Sequence, residues 1–158
     1  MKKKFPYLLL IAGCLVLDQV TKILVDAKLR YLESVTVIPG FFNLTPIKNR
    51  GAIFGFFDHS GGGQTKFIII TVGSLIALAF VAYYFFATGA SDRLTLSGLS
   101  LIMAGALGNL ADRFLKGSVT DFLDFYIKSW HWPFFNVADS CITVGACLLV
   151  LTLVIRRK

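Results

Sequence analysis

Four apolar runs, at about residues 5–25, 67–87, 94–115 and 137–155, constrain this chain more than any other feature. Each is about 20 residues long, and a helix rising 1.5 Å per residue then crosses a hydrocarbon core of roughly 30 Å. In that medium every backbone amide and carbonyl must be satisfied within its own segment, so each run is expected to be helical. The fold class that follows is an integral-membrane, all-α bundle of four transmembrane helices, organised as one domain over residues 1–158. Composition agrees, since 56% of the residues are hydrophobic and 16% charged, more apolar and less charged than a soluble domain.

The formal net charge is +7, but its distribution argues against nucleic acid. Basic residues gather at the chain ends, Lys2, Lys3 and Lys4 at one and Arg156, Arg157 and Lys158 at the other, and form no stripe. The positive-inside rule then places both termini on the cytoplasmic side, with loops 26–66 and 116–134 outside. Lys28, Arg30, Lys48 and Arg50 oppose that orientation, but the short termini are denser in basic residues. Cys14, Cys141 and Cys147 fall inside apolar runs without metal-ligand spacing, so neither a disulfide nor a metal is expected. Residues 8–14 after the opening lysines imitate a lipoprotein signal ending at Cys14. Apolar residues continue through Leu17, against that reading.

The polar residues stand at the outer ends of the runs. Asp18 and Lys22 are four apart with the acid first, an arrangement suited to an ion pair supporting a site. In the first outer loop, Val35, Val37, Ile38, Phe41, Phe42 and Leu44 are punctuated by Pro39-Gly40 and Pro46, as in short strands joined by turns. The aromatic stretch 53–57 suits either the headgroup layer or a small sheet over the bundle mouth, and residues 60–63 read as a flexible link. The second run has no charge or carboxamide and reads as scaffold, followed by a tight cytoplasmic return at 88–93. The third carries Gly98, Ser100, Ala104, Gly105, Ala106 and Gly108, which permit close helix approach, then Asn109, Asp112 and Arg113 at its outer end.

In the second outer loop, residues 119–125 suggest an extended edge against the first loop, with Tyr126, Trp130, His131 and Trp132 as an interfacial aromatic belt. His131 fits that belt better than it fits a general base. Asn136 and Asp139 share a face in the first turn of the last run. Asp121 and Asp139 put carboxylates beside segments that otherwise read as membrane, which is costly and points to function. They are the candidate catalytic pair. Asp124, three residues on, is a rival to Asp121. Asp112 is a weaker one, because the adjacent Arg113 would favour a permanently ionised carboxylate.

Together, Leu17-Asp18-Gln19-Val20-Thr21-Lys22, Asn49-Arg50-Gly51-Ala52-Ile53-Phe54-Gly55, Gly108-Asn109-Leu110-Ala111-Asp112-Arg113, Val119-Thr120-Asp121-Phe122 and Phe135-Asn136-Val137-Ala138-Asp139-Ser140 resemble the motif set of lipoprotein signal peptidase, or signal peptidase II. The resemblance implies a four-span aspartic endopeptidase of the bacterial inner membrane with a small extramembrane β-sheet cradle on its outer side. Such enzymes cleave prolipoproteins just before the diacylglyceryl-modified cysteine. It also implies catalytic roles for Asp121 and Asp139, and support or substrate binding by Asp18, Lys22, Asn49, Gly51, Asn109, Asp112, Arg113, Asn136 and Ala138. The expected partners are lipidated prolipoproteins, membrane lipid and globomycin-type inhibitors, with no metal or cofactor and a monomeric enzyme. The alternative is a small ion- or proton-coupled transporter relaying through Asp18, Asp112 and Asp139. A relay needs ionisable groups through the bilayer depth, whereas here they gather toward one side. A purely structural membrane protein has no use for Asn-rich helix ends facing loop carboxylates.

Overall fold

The computed structural model describes residues 2–50 and 63–156. A 3-10 turn at Lys2–Lys4 leads into α1 (Phe5–Lys28), followed by β1 (Val35–Ile38), β2 (Phe42–Asn49), α2 (Gly63–Ala87), α3 (Arg93–Lys116), β3 (Val119–Ile127), β4 (Trp130–His131) and α4 (Val137–Arg156). The four expected spans are these four helices, each long and apolar enough to cross a membrane. Local chemistry marks their ends. The Asp92 side chain accepts the Thr95 N–H at 3.3 Å before α3, and Gly117 ends that helix at φ 69°, donating to Arg113 O at 3.1 Å.

The α3 helix is the hub, packing on the other three, and half of its apolar stretch is buried against almost none of α2's. Small residues bring α3 and α4 together. A Cβ placed on Gly98 would lie 2.9 Å from the Gly145 carbonyl oxygen, and one on Gly105 would overlap the Ala138 carbonyl. Ile68, Ile69, Val72, Ile76 and Phe80 on α2 are exposed, as side chains solvated by lipid rather than protein should be. At one end of the bundle Lys4 Nζ donates to the carbonyls of Phe85 (2.7 Å) and Phe86 (2.9 Å), placing a cation on the C-terminus of α2. Arg156 pairs with Asp92 at that same end, so the start of α1, the end of α4 and the α2–α3 turn lie together.

The sheet lies at the opposite end, four antiparallel strands in the order β1-β2-β3-β4, with β2 and β3 contacting α1 and β3 also meeting α3. Two expectations are refined here. Residues 119–125 do pack on the first loop, pairing with β2, but β3 is not an edge along its whole length: the chain turns back through Lys128 (φ 55°) and lays β4 beside Tyr126 and Ile127, and Leu123 bridges to Phe135. Pro46 does not separate strands either. It sits inside β2 where the register shifts between Leu44 and Ile47, its missing N–H being tolerated at an irregularity, and its carbonyl accepts Leu32 N–H at 3.0 Å. Gly51, the motif residues Ala52 to Gly55, the aromatic stretch 53–57, residues 60–62, and Arg157 and Lys158 lie outside the described residues; Gly63 opens α2.

Candidate active site

Asp121 stands on β3, opposite Ile47 of β2, and is 3% exposed. Asn49, at the end of β2, donates its Nδ2 to Asp121 Oδ2 at 2.9 Å, and Asn136 Nδ2 donates to Asp121 Oδ1 at 2.7 Å. Burial pushes the Asp121 carboxyl up to about 6. The charge of Asp139 adds to that effect, and the hydrogen bonds from Asn49 and Asn136 oppose it.

Asp139 enters from α4. Its Oδ2 accepts the Asn136 backbone N–H at 3.2 Å while its own N–H donates to Asn136 Oδ1 at 2.9 Å, a reciprocal cap that opens the helix. Its other oxygen, Oδ1, accepts from Asn109 Nδ2 at 2.7 Å. The fully buried Asn136 therefore touches both carboxylates, and its Nδ2 also lies 3.2 Å from Asn109 Oδ1. A strand, the N-terminus of α4 and the C-terminal part of α3 thus converge on a pair of carboxylates joined through two carboxamides.

Beneath the pair is a buried ionic cluster. Lys22 Nζ has three donors and three partners: Asp18 at 2.9 Å, Asp112 at 3.1 Å and Asn109 Oδ1 at 3.0 Å. Asp18 accepts the Ala138 N–H at 2.9 Å, satisfying an amide of the first turn of α4, and Gln19 Nε2 at 3.0 Å. Asp112 accepts Thr120 N–H at 3.2 Å and pairs with Lys116 at 3.1 Å. The cations that bind the Asp112 carboxylate directly are therefore Lys22 and Lys116, and the adjacent Arg113 makes no hydrogen bond to it among the described residues. Arg113 Nη1 instead reaches Ser74 Oγ on α2, at 3.3 Å.

Asp124 is equally buried but belongs elsewhere. It lies an odd number of residues from Asp121, and successive strand side chains alternate faces. Its partners are Asn43 Nδ2 at 3.1 Å and His131 Nδ1 at 2.6 Å, with the His131 ring stacked 5.2 Å from Tyr126. A cavity of about 290 Å³ adjoins the other side of the sheet, lined mainly by Phe41, Phe125, Ile127, Trp130, Trp132 and Phe135, whose strand members alternate with Asp124 and His131; none of the carboxylate network lines it.

The family model for signal peptidase (SPase) II matches residues 10–155. A lipoprotein signal peptidase of Geobacter metallireducens is 47% identical over 143 residues, spanning 90% of this chain and 86% of the relative. This chain belongs to the signal peptidase II family. Another lipoprotein signal peptidase, from Syntrophus aciditrophicus, is 42% identical over 161 residues, covering 100% of this chain and 98% of its own length. A bacterial membrane enzyme structure solved at 1.9 Å by the in meso method superposes with TM-score 0.76 at 39% identity, over 94% of this chain and 92% of that one. As a signal peptidase II with four spanning helices, the protein is a multi-pass bacterial membrane protease, and the transporter alternative is not favoured.

Some contributors to this network escape the sequence reading. Thr120 is fully buried, accepts Lys48 Nζ at 2.9 Å, donates to Asp26 Oδ2 at 3.1 Å and binds Asp112 through its N–H. Asp26 in turn pairs with Lys48 at 2.7 Å, tying α1 to β2. The available signal was spacing, because Asp18, Lys22 and Asp26 recur every four residues along one stripe of α1.

Proposed function

We propose that this protein is an aspartic endopeptidase that removes signal peptides from diacylglyceryl-modified prolipoproteins by cleaving before the lipidated cysteine. Asp121 and Asp139 act as the catalytic pair. The observation that carries the assignment is the double engagement of Asn136, which hydrogen-bonds Asp121 Oδ1 at 2.7 Å and caps Asp139. It holds the buried Asp121 and the half-buried Asp139 on one network.

Two carboxylates in a low-dielectric site do not ionise independently, so the pair retains one proton between them and titrates in two coupled steps. The ionised partner takes a proton from water as that water attacks the scissile carbonyl. The protonated partner donates toward the developing oxyanion, and a proton then reaches the leaving amine. Asn49, Asn109 and Asn136 offer neutral donors, which orient carboxylates without holding both of them ionised as a cation would. Lys22, Asp18 and Asp112 hold Asn109 and the first turn of α4 in place. Arg113 offers guanidinium donors to substrate backbone carbonyls. The substrate's diacylglyceryl group lies in lipid or between helices, and its peptide meets the carboxylates at the sheet end. We place both termini in the cytoplasm, this site toward the outer face, globomycin-type compounds in the same cleft, and the active enzyme as a monomer of one domain.

The test is cleavage of a diacylglyceryl-modified prolipoprotein by purified protein in detergent with EDTA present. Asp121→Asn and Asp139→Asn should each abolish cleavage while remaining folded, and Asp124→Asn should retain it. Loss in Asp124→Asn alone would move the assignment to the His131 side of the sheet. A folded wild type that cuts no lipidated substrate would remove the peptidase reading.

A further inference from the structure

The second span carries no charge and no carboxamide between residues 67 and 87, yet it reaches the site through one hydroxyl. Arg113 lies one helical turn beyond Asn109, on the same face of α3, and Asn109 donates to Asp139 Oδ1 at 2.7 Å, which puts the arginine's stem beside the pair. Among the described residues, however, its guanidinium donates to Ser74 Oγ at 3.3 Å. The Ser74 hydroxyl proton is occupied by Ile70 O at 2.8 Å, one turn back, leaving an oxygen lone pair for the arginine. Thr71, three residues earlier and so on the same face of α2, is buried, and the backbone of α2 closely approaches no helix other than α3 among the described residues. That face is therefore turned to α3, where Arg113 resides.

We propose that Ser74 is a positioning residue for the cleavage reaction, holding the Arg113 guanidinium beside the Asp121–Asp139 pair through a neutral acceptor. The neutrality matters. An arginine seated directly on either carboxylate would hold it ionised and take the shared proton out of use, whereas a hydroxyl anchors the guanidinium with donors still free for substrate carbonyls. The α2 helix thereby becomes part of the site rather than scaffold alone.

This inference rests on the peptidase reading above, and its test separates the two. Single-turnover cleavage of a diacylglyceryl-modified prolipoprotein is measured for the full chain in detergent, with melting temperatures recorded alongside. Ser74→Ala should lower kcat/KM about tenfold, as expected for one hydrogen bond to a charged group. Ser74→Thr, which keeps the acceptor, should stay within about threefold of wild type. In an Arg113→Ala background, Ser74→Ala should cost nothing further, because the group it positions is gone. If Arg113→Ala falls below detection, the contrast between Ser74→Ala and Ser74→Thr decides. If Ser74→Ala does not fold, Ser74→Cys, of similar shape but a poor acceptor, replaces it with the same tenfold expectation. Ser74→Ala equal to wild type, equal to Ser74→Thr, or equally costly without Arg113 overturns the proposal. Those outcomes leave the peptidase reading intact; a wild type that cleaves nothing removes both.

Discussion

Replacing Asp121 by asparagine removes a charge from a place where charge is costly to keep. The residue is 3% exposed, and its carboxyl is pushed from 3.8 up to about 6. That rise corresponds to roughly 3 kcal/mol between the two protonation states. Because the folded-state value lies above the unfolded one, the native protein binds the extra proton between about pH 4 and 6. The associated stability is full below pH 4 and is lost as the pH rises through 6. Asparagine has no such loss. It does disturb the network, since Asn49 and Asn136 both donate to Asp121 and a carboxamide offers only one oxygen to receive them. That penalty is independent of pH. The difference in stability between Asp121→Asn and wild type should therefore move by about 3 kcal/mol in favour of the variant from pH 4 to pH 8, with the carboxylates outside the coupled Asp121–Asp139 pair cancelling. Thermal unfolding in detergent at pH 4, 6 and 8 reads this as a change of roughly 6–12 °C in the difference between the two melting temperatures. A difference that stays flat across that range refutes the idea that Asp121 is buried with a retained proton.

Other substitutions probe the support. Asn136→Ala should cut cleavage at least about a hundredfold, as loss of a preorganised donor does, and melting should fall by the equivalent of about 1 kcal/mol for the lost cap; activity within threefold of wild type would contradict its bridging role. Lys22→Met leaves Asp18 and Asp112 buried without the ammonium between them, and should destabilise by about 3–5 kcal/mol. An unchanged denaturation midpoint would show the cluster to be dispensable. Gly108→Ala puts a Cβ 2.5 Å from Asp18 Oδ2 and 3.3 Å from Ala138 Cβ, where Asp18 is pinned by Lys22 and the Ala138 amide. A loss of about 1–3 kcal/mol should appear in thermal melts, and a neutral result would mean α1 can recede.

Much of this site was legible because its signals are local. Hydropathy fixes a span within its own twenty residues, and helical spacing puts Asp18 and Lys22 on one face wherever α1 lies. The small residues of α3 announced the close contact with α4 for the same reason: a missing side chain is visible without knowing its neighbour. The role of Pro46 and the extent of the β3 edge depended instead on a partner strand. A proline ends a strand or rides in an irregularity according to what pairs beside it, and a strand is an edge only if nothing returns to cover it.

From the sequence alone came the membrane class, the four helices, the gathering of polar residues at one end and, through the motifs, the family. These follow from short-range chemistry and from patterns readable along the chain. The tertiary structure decided which groups meet. It set Asp121 and Asp124 in separate networks on β3, placed Asn136 between carboxylates from β3 and α4, turned Asp112 toward Lys22, and sent Arg113 to a hydroxyl on α2. Those contacts join residues far apart in the chain, and their geometry comes from strand register and helix packing rather than from any property of the residues taken singly.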